Sequence, residues 1–177
     1  MELRELEQKS WKLRRDVVEI IMAGGGGHIG GDMSVLNTLL VLYKNHLNIT
    51  PYTTSDPGRD RFVLSKGHAV EALYAVLADC GFLDLEDIKA RFSKFGSPYI
   101  GHPNNKLPGI EMNSGSLGHG LPVCVGMALA GKMDGRNYRV YTVMGDGELA
   151  EGSVWEGAMA ASNYGLDNLC AVVDRNR

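Results

Sequence analysis

The 177-residue chain lacks the features of several protein classes. It has only three cysteines, Cys80, Cys124 and Cys170, and none of them forms a CxxC pair. An odd number of widely spaced cysteines with apolar neighbours is typical of reduced, buried thiols, so we expect a cytoplasmic protein without a disulfide framework. No stretch reaches the roughly 18 apolar residues that span a bilayer, and the charged N-terminus lacks the apolar core of a signal peptide, so we expect no membrane partner.

Positive charge is not in excess either. The chain carries 18 Lys and Arg against 21 Asp and Glu, for a net charge of −3 and a pI of about 5.9. Nucleic-acid-binding domains are usually basic, so we expect no nucleic-acid partner. The residue present in quantity is glycine, with 23 copies, nearly twice average usage. The glycines cluster instead of recurring at every third position, which excludes collagen, and the 44 % hydrophobic content favours a folded domain with a core.

Apolar periodicity predicts an α/β fold in which a mainly parallel sheet is flanked by helices. Helices are predicted over 3–22, 33–47 (capped by Asp32 or Ser34), 69–79, 84–92, 121–133 and 153–163, and strands over 61–65, 138–145 and 169–174. The strand–helix–strand spacing of residues 138–174 predicts a βαβ unit with parallel strands, and the unbroken apolar runs fit strands covered on both faces. Residues 93–118 form a long loop without periodicity, which is usually functional.

Polar residues follow the two strands of the predicted βαβ unit. Gly145-Asp146-Gly147 comes directly after one strand, and Asn176 follows the next. Ligands of open parallel sheets bind where the carboxyl ends of neighbouring strands meet. A carboxylate and an amide oxygen suit Mg²⁺, which commonly accompanies phosphate oxygens, and Gly147 leaves room for a diphosphate. The alternative for the first motif alone is a turn in which glycine relieves strain and Asp146 caps the helix.

Four of the five histidines follow a glycine: His28, His68, His102 and His119. Histidines in glycine-rich turns are accessible, can bind phosphate or hydroxyl oxygens, and exchange protons near neutral pH. Any one of them is also explained as a surface-loop histidine. Their spacing is not that of a zinc site, so we predict no zinc. The formal GxGxxG match at residues 25–30 follows a predicted helix instead of a strand, and therefore does not predict nicotinamide dinucleotide binding.

Several motifs together resemble one family. Residues 145–177 resemble the thiamine-diphosphate motif, in which GDG is followed by Asn after about thirty residues. RDRFVLSKGHA at 59–69, GHPNNKLPGIEMNSGSLGHGL at 101–121 and GGGGHIGG at 24–31 look like the transketolase family. SGSLGHGL is most similar to the N-terminal, thiamine-diphosphate-binding subunits of split transketolases. Deoxyxylulose-phosphate synthases carry a GHSSTS-like sequence in that region, which this chain lacks.

The resemblance implies a thiamine-diphosphate-binding fold and a set of site residues. Asp146 and Asn176 would ligate Mg²⁺, or Ca²⁺ or Mn²⁺ in its place. The cofactor-binding residues would be His68, Gly115, Ser116, Leu117, Gly147 and Asn176, where Ser116 replaces the family's usual proline. His28 and His102 match residues that bind the ketose and assist proton movement, and Glu151 matches an acid at the interface between subunits. A solvated helix carboxylate remains the alternative for Glu151.

The implied reaction transfers a two-carbon ketol unit from a ketose phosphate to an aldose phosphate, as in the pentose phosphate pathway. The family's activating glutamate and phosphate-binding arginines lie on a second domain, so we expect an inactive chain that needs a C-terminal, pyrimidine-binding subunit in a dimer or heterotetramer. A third metal ligand would fall at position 178, so we expect a single diphosphate-binding domain over 1–177, truncated at its C-terminal end. The alternatives are a 2-oxo-acid dehydrogenase or deoxyxylulose-phosphate synthase type of component, or a non-catalytic partner-binding fragment.

Overall fold

A computed structural model describes residues 1–176 of the chain. The helices are α1 (Leu3–Gly24), α2 (Ile29–Val41), α3 (Val70–Asp79), α4 (Leu85–Arg91), α5 (Gly120–Met133) and α6 (Gly152–Asn163), and the strands are β1 (Arg61–Leu64), β2 (Val140–Gly145) and β3 (Leu169–Asp174). A π-helical turn over Leu42–His46 follows α2, and 3₁₀ turns occupy Gly67–Ala69 and Gly147–Ala150. Within residues 1–176, no helix is both long and apolar enough to cross a membrane.

The three strands form one parallel sheet in the order β1-β2-β3. One face packs on α1 to α4, with Phe62, Val143 and Val172 turned toward that core. The other face packs on α5 and α6, with Val63 and Met144 turned toward the second core. Because all three strands run in the same direction, their carboxyl ends lie at one edge of the sheet. The predicted α/β fold and its parallel βαβ unit are confirmed.

The predicted start of the second helix is wrong. Helix α2 begins at Ile29, after His28 in the N-cap position, so Asp32 and Ser34 lie inside the helix. Asp32 Oδ1 accepts the N–H of Ala72 at the start of α3 (2.9 Å), and Ser34 Oγ lies 2.5 Å from Asp174 Oδ2 at the end of β3. Both side chains thus have partners distant in sequence, which local capping preferences do not reveal.

Strand β3 is less covered than its apolar sequence predicts. Strand β2 is buried along most of its length, as expected of a central strand. On β3, Cys170 and Val172 pack on the first core, whereas Ala171 and Val173 are exposed. Both faces of β2 are therefore covered, as its unbroken apolar run predicts. Within residues 1–176, one face of the edge strand β3 is exposed, which its apolar run does not predict. All three cysteines are free thiols, of which Cys124 is buried.

Substitution of two glycines of α5 by alanine tests the packing of the second core. A Cβ at Gly131 would lie 2.8 Å from Cζ of Tyr138, whose ring is held by a hydrogen bond from its hydroxyl to the Met127 carbonyl (2.8 Å). We expect Gly131→Ala to lower the free energy of unfolding by about 1–3 kcal/mol through overpacking. In the matched control Gly126→Ala, no described atom lies within 4 Å of the new methyl group, so we expect a gain of about 0.5–1 kcal/mol from helix propensity. Urea unfolding of both variants measures this, and equal effects would contradict the packing.

Candidate functional site

A cavity of about 210 Å³ opens at the carboxyl edge of the sheet. Its lining residues are Lys66, His68, Leu117, Gly145, Asp146, Gly147, Glu148 and Asn176. Five of these were predicted from the sequence as cofactor- or metal-binding residues: His68, Leu117, Asp146, Gly147 and Asn176. They come from chain segments that are far apart in sequence, and the parallel sheet brings them to one place.

Asp146 and Asn176 share a wall of this cavity because of the register between β2 and β3. Gly145 pairs with Asp174, and the Asp146 N–H donates to the Asp174 carbonyl oxygen (3.1 Å). Asp146 Oδ1 accepts the N–H of Gly147 (3.0 Å). A Cβ at Gly147 would meet no described atom within 4 Å. The wall thus offers a carboxylate, an amide and open backbone to a ligand.

The donor set suits a hard cation that shares its ligands with a phosphate. Within residues 1–176, no group of three or more His, Cys, Asp or Glu side chains is arranged to hold a metal ion. Asp146 and Asn176 supply oxygen ligands from only two side chains. Mg²⁺ is usually bound through one or two carboxylates plus substrate phosphates and water, whereas zinc sites need three or four protein ligands. The residues present therefore fit a magnesium–diphosphate group.

Three of the predicted histidines form a cluster beside the cavity. The ring centroids of His28 and His68 lie 5.4 Å apart, and those of His28 and His102 lie 6.2 Å apart. The ring of His102 packs against the backbone of Gly115, where a Cβ would lie only 2.6 Å from Cδ2 of His102. The φ of 140° at this position also favours glycine. His68 belongs to both the cluster and the cavity lining. The two features thus form one continuous surface.

The surroundings of these histidines keep two of them neutral. Burial lowers the pKa of His68 below its usual value of 6.5, and the charges of Lys66, His28 and His102 lower it further. Burial also lowers the pKa of His102, with a further contribution from His28. At neutral pH each ring therefore has one nitrogen that donates and one that accepts a hydrogen bond.

Glu148 is a buried residue of the site that sequence reasoning missed. Its Oε1 accepts from Ser65 Oγ and from the Gly118 N–H (2.8 Å), and its Oε2 accepts from the Gly145 N–H (3.1 Å). The side chain is 1 % exposed. It therefore joins the segment after β1, the end of the long loop and the end of β2 around the cavity.

Lys66 is the second missed residue. Its Nζ is also buried, forms an ion pair with Asp174, and lies 3.2 Å from the Gly31 carbonyl oxygen. The pair connects the end of β1 to the end of β3 and to α2. Sequence position alone gave little signal for either residue, because Lys and Glu are almost never fully buried unless they are paired.

Two predicted loop residues, Ser116 and Glu151, lie outside the cavity lining. Ser116 is exposed, and its carbonyl oxygen lies 3.2 Å from Nδ1 of His119. Glu151 is exposed at the N-cap of α6, and no described backbone N–H is capped by its side chain. The Cβ of Glu151 packs closely against Gly118. Glu151 is thus accessible to solvent and is not part of the cavity lining.

Comparison with known proteins assigns the family. Residues 7–177 match the family model described as "Transketolase, thiamine diphosphate binding domain". The chain belongs to the transketolase family. Similar relatives include one subunit of the apulose-4-phosphate transketolase of Phocaeicola vulgatus, 51 % identical over 177 residues, which are all of this chain and 63 % of that protein. Human transketolase is 42 % identical over 176 residues, which are 99 % of this chain and 28 % of that protein.

Solved structures agree with this transketolase assignment. Transketolase from Campylobacter jejuni matches with a TM-score of 0.90 at 31 % identity, over 98 % of this chain and 28 % of that one. Transketolase from Leishmania mexicana matches with a TM-score of 0.86 at 29 % identity, over 96 % of this chain and 27 % of that one. The chain thus spans under two thirds of the split-type relatives and under one third of the single-chain transketolases. It corresponds to their thiamine-diphosphate-binding domain.

The role of Glu148 in this transketolase domain can be tested by replacing its side chain with that of alanine. We expect Glu148→Ala to lower the free energy of unfolding by about 3 kcal/mol or more, because it leaves two buried donors and one half-buried donor without an acceptor. Glu156→Ala removes an exposed carboxylate from α6, and we expect a change within about 0.5 kcal/mol. Urea unfolding measures both. Equal stability of the two variants would show that Glu148 does not hold the three segments together.

The coupling among the histidines is testable by NMR titration. We expect His28→Gln to raise the pKa values of both His68 and His102, because the charge of His28 lowers each of them in the wild type. The Cε1–H signals of the two rings report the change. His46→Gln, an exposed histidine in the π-helical turn, is the matched control and should leave both titrations in place. Unchanged titrations in His28→Gln would contradict the cluster.

Proposed function

We propose that this chain provides the diphosphate- and metal-binding half of a thiamine-diphosphate site in a split transketolase. The whole enzyme would transfer a two-carbon ketol unit from a ketose phosphate to an aldose phosphate. The single observation that supports this most is the cavity in which Asp146, Asn176, Gly147 and His68 meet. The names of similar relatives, including 6-deoxy-6-sulfo-D-fructose transketolase subunit SqwG of Clostridium sp. at 40 % identity, favour the split type.

Different cavity residues would bind the metal ion, the diphosphate and the apolar part of the cofactor. Asp146 and Asn176 would hold Mg²⁺, or Ca²⁺ or Mn²⁺, through a carboxylate and an amide oxygen. His68 would donate a hydrogen bond to the diphosphate, since its pKa is lowered and its neutral ring keeps one N–H. Gly147 leaves backbone space for phosphate oxygens. Gly115, Ser116 and Leu117 would line the cofactor, of which Leu117 supplies an apolar wall.

Two histidines of the cluster, His28 and His102, would bind the sugar substrate. Thiamine diphosphate, when bound, supplies the carbanion nucleophile and the electron sink. His28 and His102 would hold hydroxyl groups of the ketose and exchange protons with them. The pKa of His102 is lowered, so its neutral ring accepts a proton at neutral pH and returns it. The centroids of the two rings lie 6.2 Å apart, close enough for both rings to contact the same substrate.

The partner in this proposal is a second chain with a pyrimidine-binding domain. Helix α6 carries Trp155 and Met159 on its surface, 59 % and 65 % exposed, near the exposed Glu151. Exposed apolar side chains grouped in this way mark protein contact surfaces. We propose that Glu151 meets the partner there, in a dimer or heterotetramer in the cytoplasm. The isolated chain would then bind cofactor weakly and lack ketol-transfer activity.

Calorimetry of cofactor binding tests the proposal. We expect Asp146→Ala to weaken binding of thiamine diphosphate with Mg²⁺ by at least about tenfold, the loss typical of even indirect disturbance of a metal site. The control is Asp167→Ala, which removes an exposed carboxylate before β3, at the opposite edge of the sheet. It should bind like the wild type. Chelation of divalent metal should abolish binding of thiamine diphosphate to the wild type and to Asp167→Ala.

The calorimetric titrations are repeated with a candidate pyrimidine-binding partner present. The result distinguishes the split transketolase from the alternative functions. Binding that increases with the partner and weakens in Asp146→Ala supports the split transketolase. Binding unaffected by Asp146→Ala would contradict the metal assignment. The absence of binding with and without partner would favour a non-catalytic, partner-binding protein.

A further inference from the structure

Two buried carboxyl groups lie on the helices that follow His28 and His68, outside the cavity lining. Asp32 lies in the first turn of α2, four positions after His28, and Glu71 lies in the first turn of α3, three positions after His68. Asp32 is 0 % exposed and Glu71 is 1 % exposed. Acidic residues are almost never buried to this extent without a partner. The function proposed above uses neither of them.

The hydrogen bonding of this pair is incomplete unless it holds a proton. Asp32 Oδ1 accepts the Ala72 N–H, but no other described group donates to Asp32 Oδ2 or to either oxygen of Glu71. Asp32 accepts from the residue that directly follows Glu71, and the charge of Asp32 raises the pKa of Glu71, so the two carboxyl groups lie close together. Two ionised carboxylates in contact would repel each other without solvation, whereas one shared proton makes a hydrogen bond between them.

The pair also contacts the chain that carries His28. A Cβ at Gly27 would lie 2.6 Å from Oε1 of Glu71, so the backbone next to His28 runs directly against this carboxyl group. Among residues 1–176, two further ionisable groups act on the pair: Lys66, whose charge acts on Asp32, and Tyr74, whose hydroxyl donates to the Ile100 carbonyl oxygen (3.0 Å). A change of charge on the pair therefore acts on the segments that place the histidines.

We propose that Asp32 and Glu71 share one proton and act as positioning residues for His28 and His68. With the proton in place, their hydrogen bond ties the first turn of α2 to the first turn of α3. Without it, two adjacent negative charges push these turns apart and displace the histidines. The inference concerns the same histidines as the proposed function, but it requires neither cofactor nor substrate.

The direction of the pH dependence follows from burial. Desolvation raises the pKa of Asp32 to about 6, and desolvation together with repulsion by Asp32 raises the pKa of Glu71 to about 8. A carboxyl group with a raised pKa stabilises the fold fully below its unfolded-state pKa, and this contribution is lost as the pH rises through the folded-state pKa. The pair therefore holds its proton at neutral pH and loses it near pH 8.

The experiment compares the wild-type protein with Glu71→Gln, which can hydrogen-bond to Asp32 but cannot ionise. Thermal unfolding is followed between pH 6.5 and 9, and the Cε1–H signals of His28 and His68 are followed by NMR over the same range. We expect the wild-type Tm to fall by about 4 °C or more, with a step in both histidine signals near pH 8. In Glu71→Gln the fall should be at most half as large, and the step should be absent.

The control is Asp60→Asn, which alters a buried carboxylate that already accepts backbone N–H groups from Asn48 (2.9 Å) and Arg139 (2.8 Å). It should keep the wild-type fall in Tm and the histidine step. If Glu71→Gln does not fold, Glu71→Met, which fills the same buried space without an ionisable group, replaces it with the same expected result. A wild type without the step, or a step that survives in the variant, would overturn the proposal. Either result leaves the calorimetric test of cofactor binding unaffected.

Discussion

The hydrogen bonds to Glu148 hold together the edge of the sheet on which the candidate site is built. Parallel strands end at one edge, so the segments that leave β1 and β2 converge there with unpaired backbone donors. Glu148 accepts from Ser65, Gly118 and Gly145 at once and so meets this need with one buried carboxylate. The cavity walls that carry His68, Leu117 and Asp146 are adjacent to these three anchor points.

A second buried charge completes the same edge. Lys66 pairs with Asp174 across the end of β2 and approaches the carbonyl of Gly31 in α2. Its charge lowers the pKa of His68, so the ion pair that joins the strand ends also affects the histidine that faces the ligand. Loss of one member of a buried ion pair is far more costly than loss of both. Structure and electrostatics of the site therefore depend on the same side chains.

Sequence reasoning located the parts of the site that repeat a local pattern. The βαβ spacing placed Asp146 and Asn176 at neighbouring strand ends. The Gly-His pairs identified four histidines, of which His28, His68 and His102 form the cluster and His119 does not. It missed Lys66, Glu148, Asp32 and Glu71, since charged residues are normally solvated and only tertiary contacts show that these are buried. The start of α2 was misplaced for the same reason, because the partner of Asp32 lies forty positions away.

The most direct test of the account is a crystal structure of the protein with its partner, thiamine diphosphate and Mn²⁺, with anomalous scattering used to locate the metal. The account predicts one manganese peak bound by Asp146 and Asn176, and a diphosphate between Gly147 and His68. A cofactor bound elsewhere, or a metal peak without contact to Asp146, would contradict the central claim.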